Sequence, residues 1–318
     1  MNYKKLGSRG PKVSTVGFGA WAIGGMNWGE TDDSVSLRAL NEAVDKGVTF
    51  IDTADVYGFG HSEELINKLI KERGKENIVI ATKAGNDFYN ASNDDDEGYG
   101  AIKQTYTKDY IISAAEKSLK RLGVDSLDVL QLHSPDVDKL ERDEPWLALE
   151  QLKRDGKIKN AGWSIQSFKE TDQAHILDEH HDLIDVIQVR YNLLEREAEK
   201  VLFPKVLEYG TGVIVRIPLL FGFLTGKFNK DSKFIEEDHR SMNLSPEKIA
   251  KYLEDLDKSK ELFDLYPDDS MGVTSLRFCI SHPACQTVIP GAKTPEQVRQ
   301  NCLASDLSPI PIENIPEL

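Results

Sequence analysis

Four residues of the 318-residue chain could carry out proton chemistry together. They are Asp52, Tyr57, Lys83 and His133, separated by 5, 26 and 50 positions. A tyrosine hydroxyl ordinarily titrates near ~10. A neighbouring ammonium favours the phenolate and lowers that value, and a carboxylate beside the lysine holds the ammonium charged and in place. A histidine within reach orients a substrate oxygen and shares a proton. The combination is a tunable proton donor, suited to a carbonyl oxygen that becomes an alkoxide as hydride reaches its carbon. Singly, each has a plainer reading: Asp52 as a helix cap, Tyr57 as loop packing, Lys83 as a solvated strand end, His133 as a backbone-satisfied ring. Their joint placement is what points to chemistry.

The elements that must position them follow from the pattern around them. Short β-branched runs stand at 15–18, 49–52, 78–83, 127–133, 160–164, 186–189, 212–216 and 287–289. Amphipathic stretches alternate with them. In 32–47, Val35, Ala39, Leu40, Ala43 and Val44 share one face and Gly47 stops the run. The stretch 62–74 has Ser62 as cap and ends at Gly74, and 107–123 has Thr107 as cap and ends at Gly123. Further helices are expected over 144–155, 168–178, 202–209, 270–281 and 294–303, with an inserted one over 245–266. Eight strand–helix units in strict alternation imply an α/β fold, a (β/α)8 TIM barrel forming one domain over 1–318. A β-hairpin over 1–14 precedes it, and long βα loops over 85–107 and 219–243 stand at the C-terminal face, where barrel enzymes place their working parts. Asp52, Lys83, His133, Ser164 and Arg216 all lie at the C-terminal ends of strand runs, so a barrel brings them to one mouth.

Composition excludes several classes. Net charge is −14, which argues against nucleic-acid or anionic-membrane binding. Hydrophobic residues make up 40% of the chain and charged ones 29%, enough for a packed core. Cys279, Cys285 and Cys302 form neither a disulfide framework nor a metal spacing, which fits a reduced, cytoplasmic setting. No run suits a signal peptide or a membrane span. "HHD" at 180–182, with His175 nearby, resembles a metal site only superficially, because no strand end supplies further ligands.

The sequence resembles the aldo-keto reductase superfamily. "DTADVYG" (Asp52, Tyr57), "IATKAG" (Lys83) and "LQLHSPD" (His133) carry the family's Asp, Tyr, Lys and His tetrad in order. The likeness runs from "KKLGSRGPKVSTVGFGAW" to "VIPGAKTPEQVRQN". It implies NADPH-dependent, reversible reduction of an aldehyde, ketone or sugar, with the proton from Tyr57, its pKa tuned by Lys83 and Asp52, and His133 orienting the carbonyl oxygen. It also implies that NADPH, in preference to NADH, sits without a Rossmann fingerprint. Ala20, Trp21 and Asp52 are expected cofactor contacts, and Ser164 and Gln188 hold the nicotinamide carboxamide. "VRIPLLFGFLTGKF" (Arg216, Pro218, Leu219, Gly222, Lys227) covers ring and pyrophosphate. "IPGAKTPEQVRQN" (Gly291, Lys293, Gln297, Asn301) takes the adenosine phosphate. Three departures stand out: Ile165 follows Ser164 where many members have Asn, Arg216 stands where many have an aromatic against the nicotinamide, and Gln297 stands where many have an Arg for the 2′-phosphate. Trp21, Trp28, Phe88 and Phe221 are the expected substrate wall, and the acidic run 93–98 overhangs it or is simply solvated. The expected partner is a small carbonyl compound, with the protein a monomer or weak oligomer. Two rival readings are a Schiff-base aldolase using Lys83 and a slow, nicotinamide-binding regulatory subunit.

Overall fold

The computed structural model describes residues 1–25, 31–89, 102–235 and 238–316. Eight parallel strands form one sheet in sequence order: β3 (Phe18–Gly19), β4 (Phe50–Asp52), β5 (Val79–Ala84), β6 (Leu127–His133), β7 (Ile158–Ser164), β8 (Ile184–Arg190), β9 (Gly212–Arg216) and β10 (Thr287–Val288). Parallel bridges Val16–Val288 and Gly19–Gly291 join the last strand to the first, closing the barrel. The hairpin β1 (Tyr3–Lys5) and β2 (Lys12–Ser14) precedes it. Helices α1 (Asp33–Asp45), α2 (His61–Arg73), α3 (Lys108–Leu122), α4 (Val137–Leu140), α5 (Asp143–Arg154), α6 (Ile176–His180), α7 (Leu202–Tyr209), α8 (Arg240–Asn243), α9 (Pro246–Lys258), α10 (Lys260–Asp264), α11 (Met271–Ser281) and α12 (Pro295–Asp306) connect and flank the strands. Among the described residues no helix is long and apolar enough to cross a membrane.

The period of two along each strand sorts the barrel into layers. Phe50, Ala81, Val129, Val186, Ile214 and Ile289 form an apolar cluster with Leu6 and Val13 of the hairpin, which plugs the barrel floor. The intervening residues Ile51, Ile80, Leu130, Ile187 and Val213 belong instead to the outer core beneath the helices. Two residues above the floor the inward positions turn polar: Asp52, Lys83, Gln131, Gln188 and Arg216. His133 and Arg190 stand two residues above Gln131 and Gln188. Buried polar groups are tolerable only when partnered, so this polar layer is where a ligand site belongs.

Three expected helix features differ. Ser62 is not a cap: Gly60 opens α2, and the Ser62 hydroxyl donates to the Ala20 carbonyl at 3.0 Å and lies 2.9 Å from Thr53 Oγ1. Of the stretch 168–178 only its end joins a helix. Phe168 has φ +63°, and Gln173 accepts from the Gln166 amide (3.1 Å) while donating to the Pro135 carbonyl (2.7 Å). Such side-chain bonds compete with the helical ladder. The inserted helix breaks between α9 and α10 at Ser259, which is fully buried and whose hydroxyl donates back to the Asp255 carbonyl at 3.3 Å.

Candidate active site at the barrel mouth

The four residues with which the sequence reading began meet at the C-terminal face. Asp52 ends β4, Lys83 lies in β5, His133 ends β6, and Tyr57 sits in the loop before α2. Lys83 Nζ is buried and donates to Asp52 Oδ2 (2.7 Å), to the Thr53 carbonyl (2.8 Å) and to the Tyr57 hydroxyl (3.3 Å). Asp52 Oδ1 accepts from Gln188 Nε2 at 2.6 Å and from Gln131 Nε2 at 3.4 Å. The His133 ring meets the Tyr57 ring edge-on, centroids 5.7 Å apart. Lys83 is fixed from three sides, and its third bond aims the phenol at the cavity.

The electrostatics differ from the sequence expectation. Burial pushes the Tyr57 phenol well above its ordinary value, and Asp52 and Asp55 push it further up, with Arg216 pulling it down. The tuning expected of Lys83 and Asp52 therefore does not lower this phenol below normal, because loss of solvent dominates and Asp52 acts in the opposite sense. The phenol is held as the proton-bearing form. Burial also lowers Lys83, against the pull of Asp52. His133 is lowered well below the usual imidazole range by burial and by the cations Lys83 and Arg216, so its ring is neutral. Its C–H proton resonances should stay flat between about pH 8 and 6, where a free imidazole titrates near ~6.5. The same depression adds stability above the unfolded value that is lost as pH falls below it. A normal titration near 6.5, assigned by loss of the signal in His133→Gln, would contradict this.

These groups open into a cavity of about 930 Å³. Tyr57, Asp52, His133, Ser164, Gln188 and Arg216 line one part of it; Lys83 is not on its wall. Of the other expected cofactor positions, Trp21, Pro218, Leu219, Gly222, Lys227, Gly291, Lys293, Gln297 and Asn301 line it too. Ala20 does not: its amide donates to the Asp52 carbonyl at 2.8 Å, so it braces Asp52 from behind. Of the expected substrate wall, Trp21 and Phe221 line the cavity and Trp28 lies outside the described residues, as does the acidic run 93–98. Phe88 is not on the wall: its ring is taken up by packing on Phe59 and Tyr89, centroids 5.4 and 4.0 Å away. The rings of Tyr57, Trp21, His239 and Phe221 follow one another in that order, with centroids 6.1, 4.7 and 5.2 Å apart. The rings of His180 and His181 are spent on stacking with Trp146 and Tyr209.

Sequence reasoning missed several lining residues. Arg190 ends β8, and its guanidinium is clamped by Glu195 through two bonds of 2.6 and 2.5 Å. The strand-end rule that singled out Arg216 applies to it equally. Ser134 follows β6 with φ +52°, and its hydroxyl donates to Ser164 Oγ at 3.4 Å. Arg240 lines the cavity while paired with Asp238, and no sequence signal brings that loop back over the barrel.

The donor set fits a dinucleotide. Lys227, Arg240 and Lys293 supply cations for phosphates, and α12 begins beside Lys293 with Pro295 in its first turn and Thr294 as cap. Gln188 spends an amide N–H on Asp52, leaving its carbonyl oxygen for a carboxamide. Nδ1 of His133 and Nε of Arg216 are buried without a hydrogen-bond partner among the described residues, so the polar layer is complete only with a ligand. The loop after β9 that overlies this part has Ile217, Leu220 and Phe221 at φ +56°, +47° and +56° and Gly222 at +91°. Strain of this kind concentrates at ligand clamps.

Comparison with known proteins agrees. The model of the aldo/keto reductase family matches residues 15–318. The aldo-keto reductase YhdN of Bacillus subtilis is 32% identical over 94% of this chain and 87% of its own length. A probable voltage-gated potassium channel subunit beta of Arabidopsis thaliana is 32% identical over 98% of this chain and 93% of its own. Among solved structures, the glycerol dehydrogenase of Gluconobacter oxydans superimposes with a TM-score of 0.81 at 30% identity, covering 98% of this chain and 92% of that one.

Proposed function

The chain belongs to the aldo/keto reductase family, as an NAD(P)H-dependent oxidoreductase, and from that premise we propose that it reduces a small carbonyl compound with NADPH, using Tyr57 as proton donor. The observation that carries this reading is the Asp52–Lys83–Tyr57 chain of bonds, 2.7 and 3.3 Å, ending at the cavity wall opposite the His133 ring.

The nicotinamide, when bound, supplies the hydride to the carbonyl carbon. Tyr57 gives its phenolic proton to the carbonyl oxygen, and the electron pair left on Tyr57 is received by the Lys83 hydrogen bond. Asp52 keeps Lys83 in that position. His133, neutral, orients the oxygen without competing for the proton. Ser164 and Gln188 position the nicotinamide carboxamide. Glycerol is named as the alcohol for the Gluconobacter relative, and a small hydroxylated carbonyl compound suits the polar floor and aromatic wall here. A Schiff-base aldolase is disfavoured, since Lys83 Nζ makes three hydrogen bonds and does not line the cavity. The test is a panel of aldehydes, ketones and sugars, each with NADPH and with NADH, followed by loss of reduced-nicotinamide absorbance. Turnover with no carbonyl in either nucleotide overturns the reading.

Preference for NADPH rests on Lys227, Arg240 and Lys293. Burial lowers the Lys293 ammonium, with Arg240 acting in the same direction and Asp238 against it. A 2′-phosphate dianion beside Lys293 would favour its charged form. Lys293→Ala is expected to weaken NADPH binding by about 10–150-fold, the equivalent of roughly 1.5–3 kcal/mol, and NADH binding by less than about threefold. Dissociation constants of both nucleotides by fluorescence quenching decide it. Equal losses would place Lys293 on a group common to both.

A further inference from the structure

We propose that Arg216 makes this site discriminate between the oxidation states of its nicotinamide, binding the reduced form in preference to the oxidised one. The inference rests on the nicotinamide reading above. Arg216 ends β9 and lines the cavity beside Gln188 and Ser164. Its Nη2 donates to the Ile165 carbonyl and to Ser167 Oγ, each at 2.9 Å. Both acceptors are neutral, and Nε is buried without a partner among the described residues. Arg190, its register partner on β8, is by contrast neutralised by Glu195. Glu170 and Glu195 are within electrostatic reach, but neither forms an ion pair with Arg216 among the described residues: Glu195 is bonded to Arg190, and Glu170 Oε2 is buried without a hydrogen-bond partner.

The guanidinium is thus a fixed cation without a close counter-charge, and it stands at the chemical end of the cavity. Its charge acts on Tyr57, Lys83 and His133 together, whereas Arg240 and Lys293 act on each other at the phosphate end. Lys83 is already balanced by Asp52, and His133 is neutral, so Arg216 leaves the reacting region with net positive charge. A dihydronicotinamide ring is neutral; removal of a hydride, two electrons with one proton, leaves a pyridinium cation. Like charges in a dry site repel far more than in water. Where many family members place an aromatic, this chain therefore places a group that disfavours the oxidised ring, which helps to expel it once the hydride has moved to the carbonyl carbon.

The experiment compares dissociation constants for NADPH, for NADP+ and for a nicotinamide-free fragment, 2′-phospho-ADP-ribose, in the parent, Arg216→Gln and Arg216→Lys. In the parent, NADP+ is expected to bind at least about tenfold more weakly than NADPH. Arg216→Gln should abolish most of that ratio by tightening NADP+, with the fragment unchanged. Arg216→Lys, which keeps the charge and loses the planar fork, should retain it. An unchanged ratio in Arg216→Gln overturns the inference, as does equal weakening of all three probes, which would make Arg216 a pyrophosphate contact. Failure of the parent to bind either nucleotide overturns the nicotinamide reading itself, so the two failures are distinct.

Discussion

Replacing Tyr57 by Phe is expected to lower kcat for carbonyl reduction by about 10²–10⁴-fold, the range of general acid catalysis, with nucleotide affinity changed by less than about twofold. The hydroxyl is the only group lost, and its one hydrogen bond among the described residues comes from Lys83 at 3.3 Å. The ring that meets Trp21 and His133 stays. Because burial and two carboxylates hold this phenol above its ordinary range, it remains protonated through neutral pH. Reduction in the parent should therefore show no loss of activity from Tyr57 ionisation below about pH 9. Steady-state rates and nucleotide binding measured side by side check both halves. A variant with most of its activity intact would remove Tyr57 from the role.

Lys83→Met should be the most damaging single change to the fold as well as to catalysis. Lys83 and Asp52 are both buried, and breaking a buried pair by removing one partner costs about 3–5 kcal/mol, because the surviving charge has nowhere to go. Gln188 and Gln131 would still donate to Asp52, which places the loss toward the lower figure. The double variant Asp52→Asn, Lys83→Met removes the stranded charge and should recover much of the stability while leaving kcat lowered by about 10²-fold or more. Urea unfolding of the parent, both single variants and the double variant separates the two effects. Recovery of activity together with stability would mean that the pair serves only the fold.

The barrel and the tetrad were legible because both depend on local pattern. Eight alternating strand runs imply a barrel, five of them end in a polar residue, and Asp52, Lys83, His133, Ser164 and Arg216 were placed at its mouth by that rule alone. What was not legible depends on the third dimension. The region of Phe168 has a helix-like apolar period, yet Gln166 and Gln173 bond to backbone and side chain in a way that defeats the helix. Arg240 reaches the cavity only because a long loop returns over it. The sign of the Tyr57 shift turned on burial, which a sequence does not state; the ammonium beside it was visible, the missing water was not. Arg190 was available to the same strand-end rule and was passed over, and only the structure shows its charge already taken by Glu195.

The central claim is that hydride passes from a nicotinamide bound in this cavity to a carbonyl carbon while Tyr57 protonates the oxygen. The most direct measurement supplies NADPH deuterated at both C4 positions of its nicotinamide together with the carbonyl compound most active in the panel, and reads the alcohol by mass spectrometry. The parent protein should yield alcohol carrying one deuterium on the former carbonyl carbon, at one equivalent per nucleotide oxidised. Tyr57→Phe, binding the same nucleotide, should yield that alcohol at least about a hundredfold more slowly. Alcohol formed without deuterium, or a parent that binds NADPH and oxidises none of it with any carbonyl, would contradict the claim.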